Sequence, residues 1–360
     1  MFYRESKSEN SARENILIGK FIKCYSGYAK NRQIRYNSSS GGVITALLAF
    51  ALEKQIITGA IVVRQKEDDI FQGESFIART KEEIIQSQKS KYVPIIMRDA
   101  LKELSCIKDN DKIAVVGLPC QFSAIEKAGL SSKSFLRFGL FCGHTPSLAG
   151  LSLFLNKIAR VKKKEISKID FRGEGWPGYV SILKKDGKEL KFPFQFFWSI
   201  VGSRFFYPKK CLSCSDCLSE TSDISFGDAW LKEFKKDNLG QSLIVARTQR
   251  GLDLLLEAEK EGVIEISPIP PQKVIFSQIT TLYVKKKLLK YFFGQKDGLK
   301  LGVLDRLLAF SFFVSLFFAE NTVLKRILYI LPKNFFYLYE GFLGRICHRK
   351  AKHDFNDFIA

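Results

Sequence analysis

Lys112-Ile-Ala-Val-Val-Gly117-Leu-Pro-Cys120-Gln121 decides the architecture of this chain. An apolar run of strand length stops at a glycine, and a proline then sets the entry to Phe122–Ala128, which has helical character. The pattern returns downstream. Phe135–Phe141 reads as a second buried strand, ends at Cys142-Gly143, and leads into a helical stretch from Ser147 to Ile158. Strand, sulfur-bearing loop and helix, used twice, is the grammar of a mixed α/β fold whose ligands gather at strand ends.

Working outward, Phe21–Tyr28, Ile56–Val63 and Phe71–Arg79 read as strands and Lys81–Gln88 as a helix, while Lys30-Asn-Arg-Gln-Ile-Arg35 reads as a turn-rich basic patch. Beyond the second cysteine loop the style changes. The segment Asp170–Phe194 is Gly-rich, carries a Lys-Asp-Gly turn between alternating segments, and reads as a β-hairpin. Asp223–Trp230, Ser242–Arg247 and Val263–Ser267 follow as extended segments around a helix from Gly251 to Glu261. The expected organisation is a polar lead-in (1–20), a core (21–270, divided near residue 110) and a basic, Phe-rich helical extension (271–360).

With 57 Lys+Arg against 37 Asp+Glu, the formal net charge is +20. Such an excess favours acidic proteins, anionic membrane faces, nucleic acids or phosphate-bearing cofactors. No DNA- or RNA-reading motif is present, so no specific nucleic acid is expected. The N-terminal stretch lacks the apolar segment of a secretory signal, and the expectation is a cytoplasmic, reducing compartment. Clustered cysteines there are metal ligands or redox groups more often than disulfides. The longest apolar run, Leu307–Ala319, is shorter than the roughly twenty residues a bilayer core requires.

Cys211-Leu-Ser-Cys214-Ser-Asp-Cys217 is the sharpest chemical signal. Closely spaced thiolates suit the corners of an iron–sulfur cubane. The run supplies at most three ligands, leaving Cys120 or Cys142 as the fourth; a zinc site or buried thiols are the competing readings. A thiol where a strand meets a helix N-terminus can equally act as a redox group. Ser38-Ser-Ser-Gly-Gly42 opens a helix and offers free backbone N–H groups to an anion, although such turns also occur without ligands. Phe171-Arg-Gly-Glu-Gly-Trp-Pro-Gly178 places one arginine and one tryptophan on a rigid turn, suited either to a planar anionic cofactor or to hairpin entry alone. His144 is a candidate proton donor or a structural histidine.

Together these segments resemble the coenzyme F420 hydrogenase/dehydrogenase beta-subunit family. The resemblance rests on Ser39-Ser-Gly-Gly42 before a Thr45-Ala-Leu-Leu48 helix, Ser90-Lys91-Tyr92, Gly117-Leu-Pro-Cys-Gln121, Phe171-Arg-Gly173 with Trp176, and Cys211/Cys214 followed by Asp223-Ile-Ser-Phe-Gly-Asp228-Ala-Trp230. It covers roughly residues 21–270. Members of that family bind FAD and carry a [4Fe–4S] cluster, and some exchange hydride with coenzyme F420; relatives reduce chlorophyll precursors. The resemblance implies cofactor contacts at Ser39, Ser40, Gly41, Gly42, Lys91, Tyr92, Arg172, Trp176 and Asp228, with Lys91 or Arg172 neutralising the flavin phosphates or the reduced ring. It implies cluster ligands among Cys120, Cys142, Cys211, Cys214 and Cys217, Cys217 lying outside the shared pattern.

The function so implied is an oxidoreductase coupling one-electron transfer to hydride transfer. The alternatives are a ferredoxin-dependent reductase of an organic substrate, such as one of cell-envelope or polysaccharide metabolism, and a non-catalytic electron-transfer subunit. Expected partners are ferredoxin or another redox protein, or a larger redox complex. Within the extension, Lys285-Lys-Lys287, Lys325-Arg326 and Arg345 to Lys352 flank aromatic stretches that suit either an anionic membrane interface or a packed helical subdomain.

Overall fold

The computed structural model describes residues 12–106, 111–130, 135–289, 302–320 and 335–356. Nine strands make one sheet in the spatial order Ile264–Pro268, Lys23–Ala29, Ser242–Ala246, Ile224–Asp228, Leu136–Leu140, Ile113–Gly117, Gly59–Gln65, Gly73–Ala78, Ile95–Ile96. The central four, Ile224–Asp228 through Gly59–Gln65, run parallel. Antiparallel strands flank them on both sides, and the two-residue edge strand Ile95–Ile96 adds in parallel.

The central strands are largely apolar, with their charged residues (Arg64, Arg137, Asp228) at or near strand ends, because both faces are covered. On one face the helices Val43–Glu53 and Gln249–Lys260 pack Leu47, Phe50, Leu252 and Leu255 against Ala60, Ala114, Ile244 and Ile264. The alternate residues point the other way. Ile61, Ile113 and Val115 meet Phe122, Ile125 and Leu104, while Cys24 and Val245 meet the extension through Val274, Ile279, Leu282 and Tyr283. No helix among the described residues is long and apolar enough to cross a membrane.

Three local expectations need revision. The Lys30–Arg35 patch is largely helical, spanning Arg32–Asn37, with the Asn31 side chain accepting the Ile34 N–H at 3.0 Å. Tertiary contacts hold it there: the Arg35 guanidinium lies 3.7 Å from the Tyr28 ring centroid and 2.7 Å from the distant Asp237. The Asp170–Phe194 segment belongs to a three-stranded meander, Ile166–Asp170, Tyr179–Lys184 and Glu189–Pro193, in which Phe171–Gly178 is the loop joining the first two strands. Finally, Lys285, Lys286 and Lys287 are buried beneath the extension. Residues 1–11 of the lead-in, and Lys325 and Arg326, lie outside the described residues.

Candidate functional site: a cleft at the carboxyl ends of the parallel strands

A cavity of about 590 Å³ opens where the parallel strands end, at Gly117, Leu140–Phe141 and Asp228. This is the position at which α/β sheets hold ligands, and the volume falls within the range of small-molecule sites.

One wall is the Ser38–Gly42 loop. Ser39 accepts the Ser90 N–H at 2.8 Å and lies 2.9 Å from the Ser90 hydroxyl, joining two motifs that are far apart in sequence. The Ser40 hydroxyl is 3.2 Å from that of Ser242. Gly41 presses against the sheet, since a Cβ there would stand 2.4 Å from the Gly27 carbonyl oxygen and 2.7 Å from the Ser242 nitrogen. Gly42 has φ +77°, a left-handed conformation glycine adopts freely, and turns the chain into Val43–Glu53 without a side-chain cap. Val43, Ile44 and Thr45 line the cleft, so the first turn of an eleven-residue helix faces it.

The floor is organised by Arg172, which is 2% exposed. Its guanidinium donates to the Asp228 carboxylate at 3.1 Å, to the Tyr92 hydroxyl at 3.4 Å and to the Ser39 carbonyl. The same group stacks 3.9 Å over Phe194 and lies 5.3 Å from the Trp176 ring. Its Nε, also buried, has no partner among the described residues. Five expected site residues, Ser39, Tyr92, Arg172, Trp176 and Asp228, therefore converge. Trp176 packs on Trp230 with centroids 4.4 Å apart. Asp223, from the same stretch as Asp228, serves the fold instead, accepting from Arg250 at 2.6 Å, Thr248 at 2.7 Å and the Arg137 N–H at 2.8 Å.

Lys91 lines the cleft, but its amine turns back to donate to the carbonyls of Ser87, Gln88 and Lys89 at 2.5, 2.5 and 3.0 Å, just beyond the helix Lys81–Gln86. Burial pushes its pKa down to about 7, with Lys89 and Lys168 adding and Asp170 opposing. Further along, His144 stacks on Tyr207 at 3.6 Å and faces Trp198 at 5.3 Å. Burial, then the Lys285 and Arg204 charges, lower His144 to about 3, so its ring is neutral at pH 7.

The cysteines divide. Cys120 sits in the first turn of the helix Pro119–Lys127, and Cys142 two residues beyond the strand Leu136–Leu140. Cys120 is raised by burial and then by the neighbouring Cys214 and Cys211. Cys142 is raised to about 12 by burial; Lys285 opposes this, and Cys211, Cys120 and Cys214 add to it. Cys211 and Cys214 are thus charged neighbours common to Cys120 and Cys142. Cys217 is 1% exposed and packs with Cys24, Leu17 and Phe21. Burial raises it to about 12, and its principal charged neighbours are Lys286, Lys285, Asp216 and Glu220. Among the described residues no three His, Cys, Asp or Glu side chains converge on the position of a single metal ion.

Sequence reading missed Phe194, Trp198 and Tyr207, and it missed the wall built by the extension, where Gln278, Thr281, Lys285 and Glu340 reach the cleft. Phe194-Gln-Phe-Phe-Trp198 carried a signal only as an apolar helical face, which reads as core.

A cleft at the carboxyl ends of parallel strands, faced by a helix N-terminus, a buried guanidinium and paired aromatic rings, is the arrangement that ligand-binding α/β proteins use. The chain belongs to the coenzyme F420 hydrogenase/dehydrogenase beta-subunit family: the family's N-terminal profile matches residues 24–102 and its C-terminal profile residues 110–272. It is 27% identical over 273 residues to the coenzyme F420 hydrogenase subunit beta of Methanosarcina barkeri, covering 72% of this chain and 86% of that one. It is 29% identical over 275 residues to the coenzyme F420-dependent sulfite reductase of Methanocaldococcus jannaschii, covering 71% of this chain and 40% of that one. A chain from the F420-reducing [NiFe] hydrogenase complex of Methanosarcina barkeri superposes with a TM-score of 0.60 at 25% identity, covering 80% of this chain and 98% of that one. The chain is thus related to F420-dependent oxidoreductase subunits.

Proposed function

We propose that this chain is an FAD- and [4Fe–4S]-dependent oxidoreductase that couples one-electron transfer to hydride transfer, with coenzyme F420 as the hydride partner, inside a larger redox complex. The residues present fit both groups. The first turn of Val43–Glu53 and the Ser39 and Ser40 hydroxyls suit phosphates, and the buried, unpartnered Arg172 Nε suits an acceptor in the cleft. Cys120, Cys142, Cys211 and Cys214 suit a cluster whose thiolates bind separate irons and so stand apart. Cys217, buried in the same apolar cluster as Cys24, is left out of the ligand set.

When bound, the flavin supplies two-electron hydride chemistry and the cluster one-electron chemistry. The chain's own residues provide the setting. Arg172 fixes a positive charge at the cleft floor, and Asp228, Tyr92 and the Ser39 carbonyl hold that charge in one orientation. Trp176 lies over it at 5.3 Å and is in turn packed by Trp230. Lys91 closes a helix end and shapes the wall, rather than offering a free cation.

The observation that carries this reading is the convergence of Arg172, Tyr92, Ser39 and Asp228 from four separate motifs on one cleft. Anaerobic purification with flavin, iron and acid-labile sulfide quantitation tests it. Flavin and cluster together support the reading, and zinc without flavin sinks it. The +20 charge favours a second reading, a reductase fed by an acidic ferredoxin. Dye reduction by F420H₂ alone supports the first reading; turnover only with ferredoxin supports the second.

A further inference from the structure

Two helices of the extension, Val303–Glu320 and Phe335–Asp354, each turn an apolar seam inward. Leu308 and Ala309 of the first join the same core cluster as Leu343, Cys347 and Ala351 of the second. Asp305 meets Lys350 at 3.6 Å, so the start of one helix lies beside the end of the other. A helix seated in this way ordinarily shows water a polar outer face.

These two do not. Val303, Leu307, Phe310 and Val314 follow one another at alternating four- and three-residue steps, which sets them in one row along the outer side. They are 75%, 60%, 60% and 36% exposed. Leu338, Phe342, Arg345 and Arg349 repeat that spacing on the second helix, and all four are exposed. The row there is apolar at Leu338 and Phe342, 64% and 57% exposed, and cationic beyond them.

The charge is one-sided. Arg306, on the flank of the first row, and Arg345 and Arg349 are exposed and meet no carboxylate among the described residues. The carboxylates described on the two helices face inward: Asp305 to Tyr283 and Lys287, Glu340 to Arg204, and Asp354 to Lys287 and Lys350. Protruding Val, Leu and Phe beside unpaired arginines match the headgroup and upper acyl region of an anionic bilayer. A fluid lipid layer closes around such a ridge, whereas a folded partner must supply a fitted groove. Neither helix is long and apolar enough to cross the bilayer, so the contact runs along its surface.

We infer that the outer rows of these two helices dock the protein on an anionic lipid surface, the apolar side chains among the acyl chains and the arginines on the headgroup phosphates. This goes beyond the redox reading and does not depend on it. Glu340, on the opposite side of its helix from Leu338 and Phe342, lines the cleft. Docking therefore brings the cleft wall within one helix width, about 10 Å, of the lipid.

Flotation of the full chain with vesicles tests the inference, since bound protein rises and aggregates sink. The chain is expected to float with equimolar phosphatidylglycerol and phosphatidylcholine, to stay behind with phosphatidylcholine alone, and to be released as salt is raised. Arg345→Gln with Arg349→Gln is expected to lower partitioning about thirtyfold, and Leu307→Gln with Phe310→Gln about tenfold or more. All four side chains are exposed, and an unchanged melting temperature verifies that the variants fold. Lys185→Gln with Lys188→Gln removes the same charge from the exposed turn of the meander and is expected to bind like wild type. Wild type that fails to float on the anionic vesicles, or an equal loss in the Lys185/Lys188 variant, overturns the inference. Sedimentation without lipid then names the occupant: self-association abolished by Leu307→Gln with Phe310→Gln gives the ridge to a second copy, and a monomer that does not float gives it to another protein. Should the Leu307/Phe310 variant not fold, the arginine pair and its lysine control carry the same decision.

Discussion

The guanidinium of Arg172 lies 3.1 Å from the carboxylate of Asp228, joining the loop between the first two strands of the meander to the end of a central parallel strand. The arginine side chain is 1% exposed and the aspartate 25%, so the pair is half in the protein and half at the cleft. Removing one partner of such a pair strands the other. Arg172→Ala is expected to cost about 3 kcal/mol, the lower end of the range for broken buried pairs because Asp228 keeps some water. Urea denaturation with flavin quantitation checks this; a variant with unchanged midpoint and full flavin would remove Arg172 from the site.

The division among the cysteines makes a sharp prediction. Alanine at Cys120, Cys142, Cys211 or Cys214 is expected to lower bound iron markedly. Alanine at Cys217 is expected to leave iron in place and cost about 1 kcal/mol of packing. Iron loss on Cys217→Ala, with retention on Cys120→Ala, would reverse the assignment.

Lys91 predicts a pH dependence. Its folded pKa of about 7 lies below the ordinary lysine value of 10.5. Between those values the unfolded chain holds a proton that the folded one has shed, so stability rises with pH across the window. The unfolding free energy of wild type relative to Lys91→Met should therefore climb as pH passes from below about 7 toward 10.5. A difference that stays flat across those pH values would show that the three carbonyls hold the ammonium charged throughout.

Glu340 fastens the last described helix, Phe335–Asp354, to the cleft wall. Its carboxylate accepts from the Ser203 hydroxyl at 2.8 Å, and from the Arg204 N–H and guanidinium, each at 2.9 Å. Glu340→Ala is expected to cost about 3 kcal/mol by leaving Arg204 buried without its carboxylate. Limited proteolysis should then cut ahead of that helix sooner than in wild type. An unchanged cleavage rate would mean that apolar packing alone seats it.

Much of the architecture was legible in the sequence because it rests on local signals. The runs ending at Cys120 and Cys142 are apolar segments of strand length broken by Pro or Gly, and they are strands with cleft-facing loops. Arg172 and Trp176 stood out through the glycine-rich loop that carries them. Where long-range contacts decide, sequence was a poor guide. Arg32–Asn37 is helical with help from Asp237, which is far away in sequence. Nothing local to Lys91 tells that its amine, at the cleft wall, also donates to three carbonyls of its own segment. The lysines at 285–287 read as flanks of either a membrane interface or a packed helical subdomain, because nothing local announces that Glu220, Asp305 and Asp354 will meet two of them.

The strand Lys23–Ala29 is flanked by Ser242–Ala246 and Ile264–Pro268, and the Gly41 backbone lies against Ser242. During synthesis, this early strand and the loop after it wait for segments made more than two hundred residues later. A nascent chain that has emerged only as far as the meander has Arg172 but lacks both Asp228 and the backing of the serine–glycine loop. The cleft therefore reaches its final shape only once the sheet is nearly complete, in a finished molecule rather than in a growing one.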